Sequence, residues 1–321
     1  AGNYRGPLHG VPIAIKDLFQ VDGMVRTCGS KLIHEGPGTQ DAKTVAALRE
    51  AGAIILGLTN LHEFAFGPTG INPHVGTARN PWDPSRVCGG SSSGSGSAVA
   101  ADLCAGALGT DTGGSVRLPA ALCGIVGLKP THLRLSQQGI YPLVSDFDTA
   151  GPMVRSVADA GLMMAAMLGQ DSRRSVGGQD SLAGKRLGIL GAPFFDDLHP
   201  EVKALNERAI GVLADLGATV VPLDLPFAPE ALSAWNTIAL GEVYALHGER
   251  AEPEDSLLAP DVRSRVLTGR DIGAADLAAA RSVQVQTQTR MAGILKDVDA
   301  LVLPTTPVPA VSAEDGMTVL N

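Results

Sequence analysis

Gly109-Thr110-Asp111-Thr112-Gly113-Gly114-Ser115-Val116-Arg117-Leu118-Pro119 closes the short apolar run that begins at Ala105. That run reads as a strand, and strand ends are where α/β sheets gather their functional groups. Two glycines in a row before a serine leave backbone N–H groups unshielded, as an oxyanion hole requires. The same residues also suit a tight turn with Ser115 capping a helix. On this stretch alone both readings stand.

Outward from it, strands and helices alternate. Val11 to Ile15 is a short apolar strand ending at Lys16-Asp17, Asp41 is placed to cap a helix through Val45, Ala46 and Leu48, and Ile54 to Leu58 is a second strand. Residues 67–92 are rich in turn signals (Gly67-Pro68, Asn72-Pro73, Asn80-Pro81, Asp83-Pro84) and read as loop. Ala98 to Leu103 then reads as helix, and Ser156 with Asp159 forms a helix-start signal. The second half repeats the alternation: strand Lys185 to Leu190, helix Glu201 to Leu216, strand Thr219 to Pro222, helical stretches 229–247 and 274–297, and strand Ala300 to Leu303. This order predicts an α/β fold with helices packed on the faces of a sheet. The polar, Gly-rich stretch Asp171 to Gly184 reads as a connection within one fold.

Composition narrows the function classes. A hydrophobic fraction of 45% and a charged fraction of 18% describe a globular chain with a substantial core. The net charge of −8, with Lys and Arg scattered, argues against direct nucleic-acid binding. No apolar stretch reaches the ~20 residues of a membrane span. Four cysteines without C-x-x-C spacing read as reduced thiols of a cytoplasmic protein.

Two more segments carry chemistry. Five of the seven residues 91–97 are serines, threaded with glycine and preceded by Cys88-Gly89-Gly90. Such a cluster suits close backbone approach or a flexible linker, but it runs straight into an apolar helix. Gly10-Val11-Pro12-Ile13-Ala14-Ile15-Lys16-Asp17 ends an apolar strand on a lysine. That lysine either snorkels to solvent or is buried, and burial would lower its pKa and supply a neutral base.

Together these three segments, with Gly124 to Thr131 (Gly-Ile-Val-Gly-Leu-Lys-Pro-Thr), resemble the amidase signature family, closely from about Gly6 to Gly169 and more loosely from Lys185 to Pro309. The resemblance implies a single amidase-signature domain over residues 1–321, with its catalytic core at about 6–169 and a mixed central β-sheet flanked by α-helices on both faces. It implies an amidase that cuts a carboxylic amide through a seryl acyl-enzyme. Ser115 would be the nucleophile, Ser91 a bridging serine after a cis peptide from Gly90, and Lys16 the base. The N–H groups of Thr112, Gly113, Gly114 and Ser115 would line the oxyanion hole. Ala65 and Phe66 align with a loop that borders substrate in some relatives. Arg117, Asp111, Asp148 and Asp17 are expected to brace the site, while Tyr141 and Trp82 are expected in the core or at its rim.

The expected partner is a small-molecule amide; no metal or organic cofactor is implied, and a homodimer is compatible with the reading. Relatives of this family carry helices before the position of Asn3 and strands after that of Asn321, so an incomplete chain is expected. Within the family the alternative is the glutaminase subunit of a tRNA-dependent amidotransferase. That subunit usually carries Gln where this chain has Leu118, which favours a free-standing amidase.

Rival readings are weaker on the residues. Gly90-Ser91-Ser92-Ser93-Gly94 satisfies G-x-S-x-G with Ser92 central, but it lacks a preceding strand, and His132, His199 and His247 stand in no recognisable context. The phosphate-loop pattern G-x-x-x-x-G-K-[ST] is absent. His62-Glu63 has no second histidine at metal-ligand spacing. A catalytically silent scaffold would not need all three catalytic residue types.

Overall fold

The computed structural model describes residues 2–170 and 181–314. The chain packs as two compact units. Among the described residues, one comprises 2–170, 249–264 and 310–314, and the other 181–248 and 265–309.

The first unit opens with β1 (Pro12–Lys16), α1 (Lys43–Glu50) and β2 (Ile54–Thr59). The hairpin β3 (Arg79–Asn80) and β4 (Asp83–Val87) precedes α2 (Ser93–Ala100) and β5 (Gly106–Asp111). Then come α3 (Arg117–Cys123), β6 (Val126–Gly127), β7 (Thr149–Val154) and α4 (Val157–Met167). Five strands form one mixed sheet in the order β2-β1-β5-β7-β6. β1 runs parallel to β2 and β5, and β7 runs antiparallel to β5 and β6.

Alternation along the strands assigns the helices to faces. Ala14 and Ala107 pack with Val99 of α2. Their chain neighbours Ile13 and Gly106 point the other way, and a Cβ on Gly106 would meet Met163 of α4 at 2.6 Å. Helices α2 and α4 therefore cover opposite faces, and α1 packs against α4. The result is the mixed sheet flanked by helices that the sequence led us to expect.

The second unit carries β8 (Arg186–Leu190), α5 (Pro200–Asp215) and β9 (Thr219–Leu223). Along the chain follow α6 (Ala228–Ala251), whose last residues from Glu249 belong to the first unit, α7 (Pro260–Leu267), of which residues 260–264 belong to the first unit, α8 (Ala274–Ile294) and β10 (Ala300–Val302). The three strands of the second unit are parallel in the order β10-β8-β9.

Several local expectations needed correction. Asp41 does not cap α1: its carboxylate accepts from the Asp22 N–H and from Arg49 Nε, and Ala42 is the N-cap. The stretch read as loop contains the β3–β4 hairpin, held by the Asn80 side-chain amide donating to the carbonyls of Val87 and Leu122. Helix α2 starts at Ser93, inside the Ser/Gly cluster and five residues before the expected Ala98. Its hydroxyls bond neighbouring strands: buried Ser95 Oγ donates to the Leu108 carbonyl, and Ser97 Oγ to that of Arg79. Ser156 caps α4 as expected, accepting from the Asp159 N–H at 3.1 Å. Of the stretch Asp171 to Gly184, residues 171–180 lie outside the described residues.

Glycine within α2 is a packing requirement. A Cβ on Gly94 would lie 2.5 Å from the Asn60 nitrogen and 2.7 Å from its carbonyl oxygen, both backbone atoms that cannot step aside. Gly57 on β2 meets nothing within 4 Å. We expect Gly94→Ala to cost ~1–3 kcal/mol by overpacking and Gly57→Ala to be near neutral. Thermal melts of the two variants beside the wild type check this.

Candidate active site

Lys16 is the last residue of β1, and its side chain is wholly buried. Its Nζ lies 2.7 Å from Ser91 Oγ and 2.8 Å from Thr110 Oγ1 on the neighbouring strand β5. Burial strips water from the amine and lowers its pKa from 10.5 to about 7, against the opposing pull of the Asp148 and Asp111 carboxylates. Near neutral pH this lysine is therefore substantially uncharged, unlike a surface lysine.

Ser91 is equally buried and follows a cis Gly90–Ser91 peptide bond. The segment Leu61 to Gly70 grips that peptide from both sides. The Gly90 N–H donates to the Pro68 carbonyl at 2.6 Å, and the His62 N–H donates to the Ser91 carbonyl at 3.1 Å. A Cβ on Gly90 would sit 2.7 Å from the Gly70 nitrogen, so only glycine allows this approach. Ser115, half-buried, stands on the loop between β5 and α3, and its carbonyl accepts from the Ser92 N–H at 3.3 Å. That bond ties the Ser115 loop to the residue after Ser91. Lys16, Ser91 and the Ser115 loop thus converge from three separate segments.

Asp111 organises the Ser115 loop. Its carboxylate accepts from Gly114 N–H at 2.9 Å and Val116 N–H at 3.2 Å, and from Arg117 through Nε at 3.0 Å and Nη2 at 2.8 Å. Burial pushes its pKa up, but the Arg117 bond and charge with the backbone donors outweigh it and hold the carboxyl low. Asp148 braces the same loop by accepting from Thr112 Oγ1 at 2.5 Å and from the Leu143 N–H at 2.7 Å. Burial raises its pKa. Asp17 accepts from both the hydroxyl and the N–H of Thr27.

The remaining residues singled out in the sequence fall as follows. Thr112 and Gly113 lie on the Ser115 loop, while the Gly114 N–H is already directed at Asp111. Ala65 is buried and Phe66 half-buried at the end of the turn Glu63–Ala65. Phe64 and Ala65 both adopt positive φ (51° and 62°), which costs an L-residue about 1–3 kcal/mol and persists only where neighbours enforce it. Ser92 Oγ donates to the Thr110 carbonyl at 3.3 Å and is fully buried, an anchor rather than an exposed elbow nucleophile. Tyr141 OH accepts from Arg250 Nη1 at 2.9 Å. Trp82 is 73% exposed, with its indole N–H donating to the Cys123 carbonyl.

Three further residues at the site carry no local signal in the sequence. Thr110 stood inside the quoted stretch, but only strand pairing shows that it faces Lys16. Glu63 is fully buried, its carboxylate accepting from Ser30 Oγ at 2.5 Å and the Ala259 N–H at 2.7 Å, and burial raises its pKa. His62 was weighed only as a metal ligand. Its ring instead bonds Asp261, 199 residues away in sequence, a distance that no local pattern announces.

A mixed sheet with a buried lysine beside a cis-linked serine defines a narrow class. The Amidase family model matches residues 1–319, and the chain belongs to that family. It is 42% identical over 274 residues to the A subunit of glutamyl-tRNA(Gln) amidotransferase from Syntrophobacter fumaroxidans, covering 82% of this chain and 56% of that one. The corresponding protein of Nitratidesulfovibrio vulgaris is 41% identical, with 81% and 57% covered. The chain thus spans little more than half the length of these curated relatives. Among solved structures it resembles an amidase (TM-score 0.88, 36% identity, 97% of this chain and 70% of that one). It also resembles the A subunit of glutamyl-tRNA(Gln) amidotransferase from Thermotoga maritima (TM-score 0.82, 30% identity, 98% and 74%). Among the described residues no helix is long and apolar enough to cross a membrane.

The lowered pKa carries a stability consequence. Between about pH 7 and 10.5 the unfolded chain holds a proton on Lys16 that the folded chain lacks, so folding stability rises with pH across that window. Below it both states are protonated and the full penalty, on the order of 5 kcal/mol, is present. Denaturant titrations should show wild-type stability rising relative to Lys16→Met between pH 7 and 10.

Proposed function

We propose that this chain hydrolyses a carboxylic amide C–N bond, releasing a carboxylate and ammonia or an amine through an acyl-enzyme on Ser115. The observation that carries this reading is a lysine amine, buried and brought to a pKa of about 7, at 2.7 Å from Ser91 Oγ. A serine hydroxyl is a weak nucleophile and needs a proton acceptor within reach. In the proposed cycle Ser115 Oγ attacks the carbonyl carbon while its proton passes to Ser91, and the Ser91 proton passes to the lone pair of Lys16. The carbonyl oxygen then carries the negative charge. Backbone donors of the Ser115 loop stabilise it, for which we propose the N–H groups of Thr112, Gly113 and Ser115. We give Gly114 a bracing role because its N–H is held by Asp111.

Collapse breaks the C–N bond, and Ser91 donates a proton to the departing nitrogen while regaining one from Lys16. Water repeats the sequence on the acyl-enzyme, releasing the carboxylate and restoring Ser115. Residues 6–169 would form the catalytic core, with Ala65 and Phe66 bordering the substrate. All four cysteines are free and buried, which fits a reducing, cytoplasmic setting.

On the substrate, the relatives favour the alternative over the free-standing amidase suggested by Leu118. The curated relatives at 36–42% identity are named as the A subunit of an amidotransferase. We therefore propose glutamine as the amide tested first, within a larger assembly. The full-length protein should release ammonia from L-glutamine faster than from acetamide, propionamide or hexanamide, and Ser115→Ala should abolish release. The reverse order of substrates would return the reading to a free-standing amidase.

Because protonated Lys16 cannot accept, kcat/KM should fall as pH drops through about 7. A profile flat to pH 5 would exclude Lys16 as base. Lys16→Ala should lower kcat about 10²–10⁴-fold, the usual contribution of a positioned general base.

A further inference from the structure

Two buried groups beside the site have no part in the proposed cycle. The His62 ring is fully buried under Gly67, where a Cβ would sit 2.3 Å from it. Its Nε2 lies 2.8 Å from Asp261 Oδ2, and its Nδ1 lies 3.3 Å from Thr69 Oγ1. A carboxylate accepts only, so the Nε2–H donates to Asp261. The backbone N–H of this same His62 donates to the Ser91 carbonyl, and the Pro68 carbonyl, two residues short of Gly70, receives the Gly90 N–H. Next to it, Glu63 holds the Ala259 N–H at 2.7 Å, two residues before Asp261 and in the same unit. The segment that fixes both sides of the Gly90–Ser91 peptide is thus itself fixed to residues 259–261 by adjacent side chains.

We propose that His62, clamped by Asp261, is a positioning residue for Ser91: the pair sets the place of the segment whose backbone holds the Ser91 carbonyl, and through it the alignment of Ser91 Oγ between Ser115 and Lys16. This rests on the bridging role given to Ser91. Displacements of about 1 Å in a reacting array can cost on the order of 10²-fold in rate, so a tether that fixes the array has a kinetic signature distinct from its contribution to folding.

The test uses the full-length protein and a fluorophosphonate probe. Ser115 Oγ forms the O–P bond, fluoride leaves with the P–F bonding pair, and the Ser115 proton travels through Ser91 to Lys16. No leaving-group proton is needed, so the labelling rate constant reports relay alignment, and the labelling amplitude reports the folded fraction. His62→Asn and Asp261→Ala should lower the rate constant about 10–100-fold at full amplitude. They should leave the pH midpoint near 7, since the burial of Lys16 is unchanged. His62→Gln, whose amide nitrogen reaches the position of Nε2, should restore most of the rate.

A rate constant unchanged in His62→Asn and Asp261→Ala would overturn the proposal. So would reduced amplitude at an unchanged rate constant, or a His62→Gln variant as slow as His62→Asn. Ser91→Ala separates the underlying reading: labelling of that variant at the wild-type rate would refute the relay itself. A slow Ser91→Ala beside unaffected His62 and Asp261 variants would refute the positioning role alone.

Discussion

A wholly buried lysine amine is the constraint from which the rest of the site follows. An ammonium buried at this depth is unfavourable unless partners offset the lost hydration, and here the nearest polar atoms are two hydroxyls, Ser91 Oγ and Thr110 Oγ1. The carboxylates of Asp148 and Asp111 act on it as well, but the first is committed to Thr112, Leu143 and Val144 and the second to Arg117 and the Ser115 loop. Neither forms an ion pair with Lys16. The amine therefore settles between the values of a surface lysine and a fully isolated one. At about 7, its lone pair is available near neutral pH.

The fold supplies this burial by placing β1 inside the sheet, between β2 and β5, so that the strand end carrying Lys16 is flanked on both sides. Glycine then allows separate backbones to converge. Gly90 and Gly94 pass against the backbones of Gly70 and Asn60 at distances no Cβ tolerates. Ser95 and Ser97 of α2 donate to a strand and a hairpin carbonyl, so a sequence that resembles a flexible linker folds as a helix bonded to its neighbours. The Ser95 hydroxyl satisfies a buried acceptor without adding bulk, which suits a chain with only 4% aromatic residues.

Much of this was legible in the residues, and what was not has a common cause. The alternation of strands and helices, the strand ending in Lys16 and the Gly-Gly-Ser loop depend on local patterns, and they lie where those patterns put them. The start of α2 was misplaced because serine and glycine are weak helix formers in isolation, whereas here tertiary hydrogen bonds outweigh propensity. Asp41 failed as a cap because Arg49 and the Asp22 N–H compete for its carboxylate. His62–Asp261 and Glu63–Ala259 span nearly 200 residues, and no spacing rule connects them. Leu118 is a single position, whereas the curated relatives at 36–42% identity are named as amidotransferase A subunits.

The proposed reaction depends on the protonation state of Lys16. The direct measurement is a pH titration of the protein carrying ¹³Cε-labelled lysine, followed by NMR, with the Lys16 resonance assigned by its loss in Lys16→Met. A Lys16 resonance titrating near pH 7 is the predicted result. A Lys16 resonance that titrates near 10.5 or above would show that the amine stays charged in its buried site, and would remove the base from the mechanism.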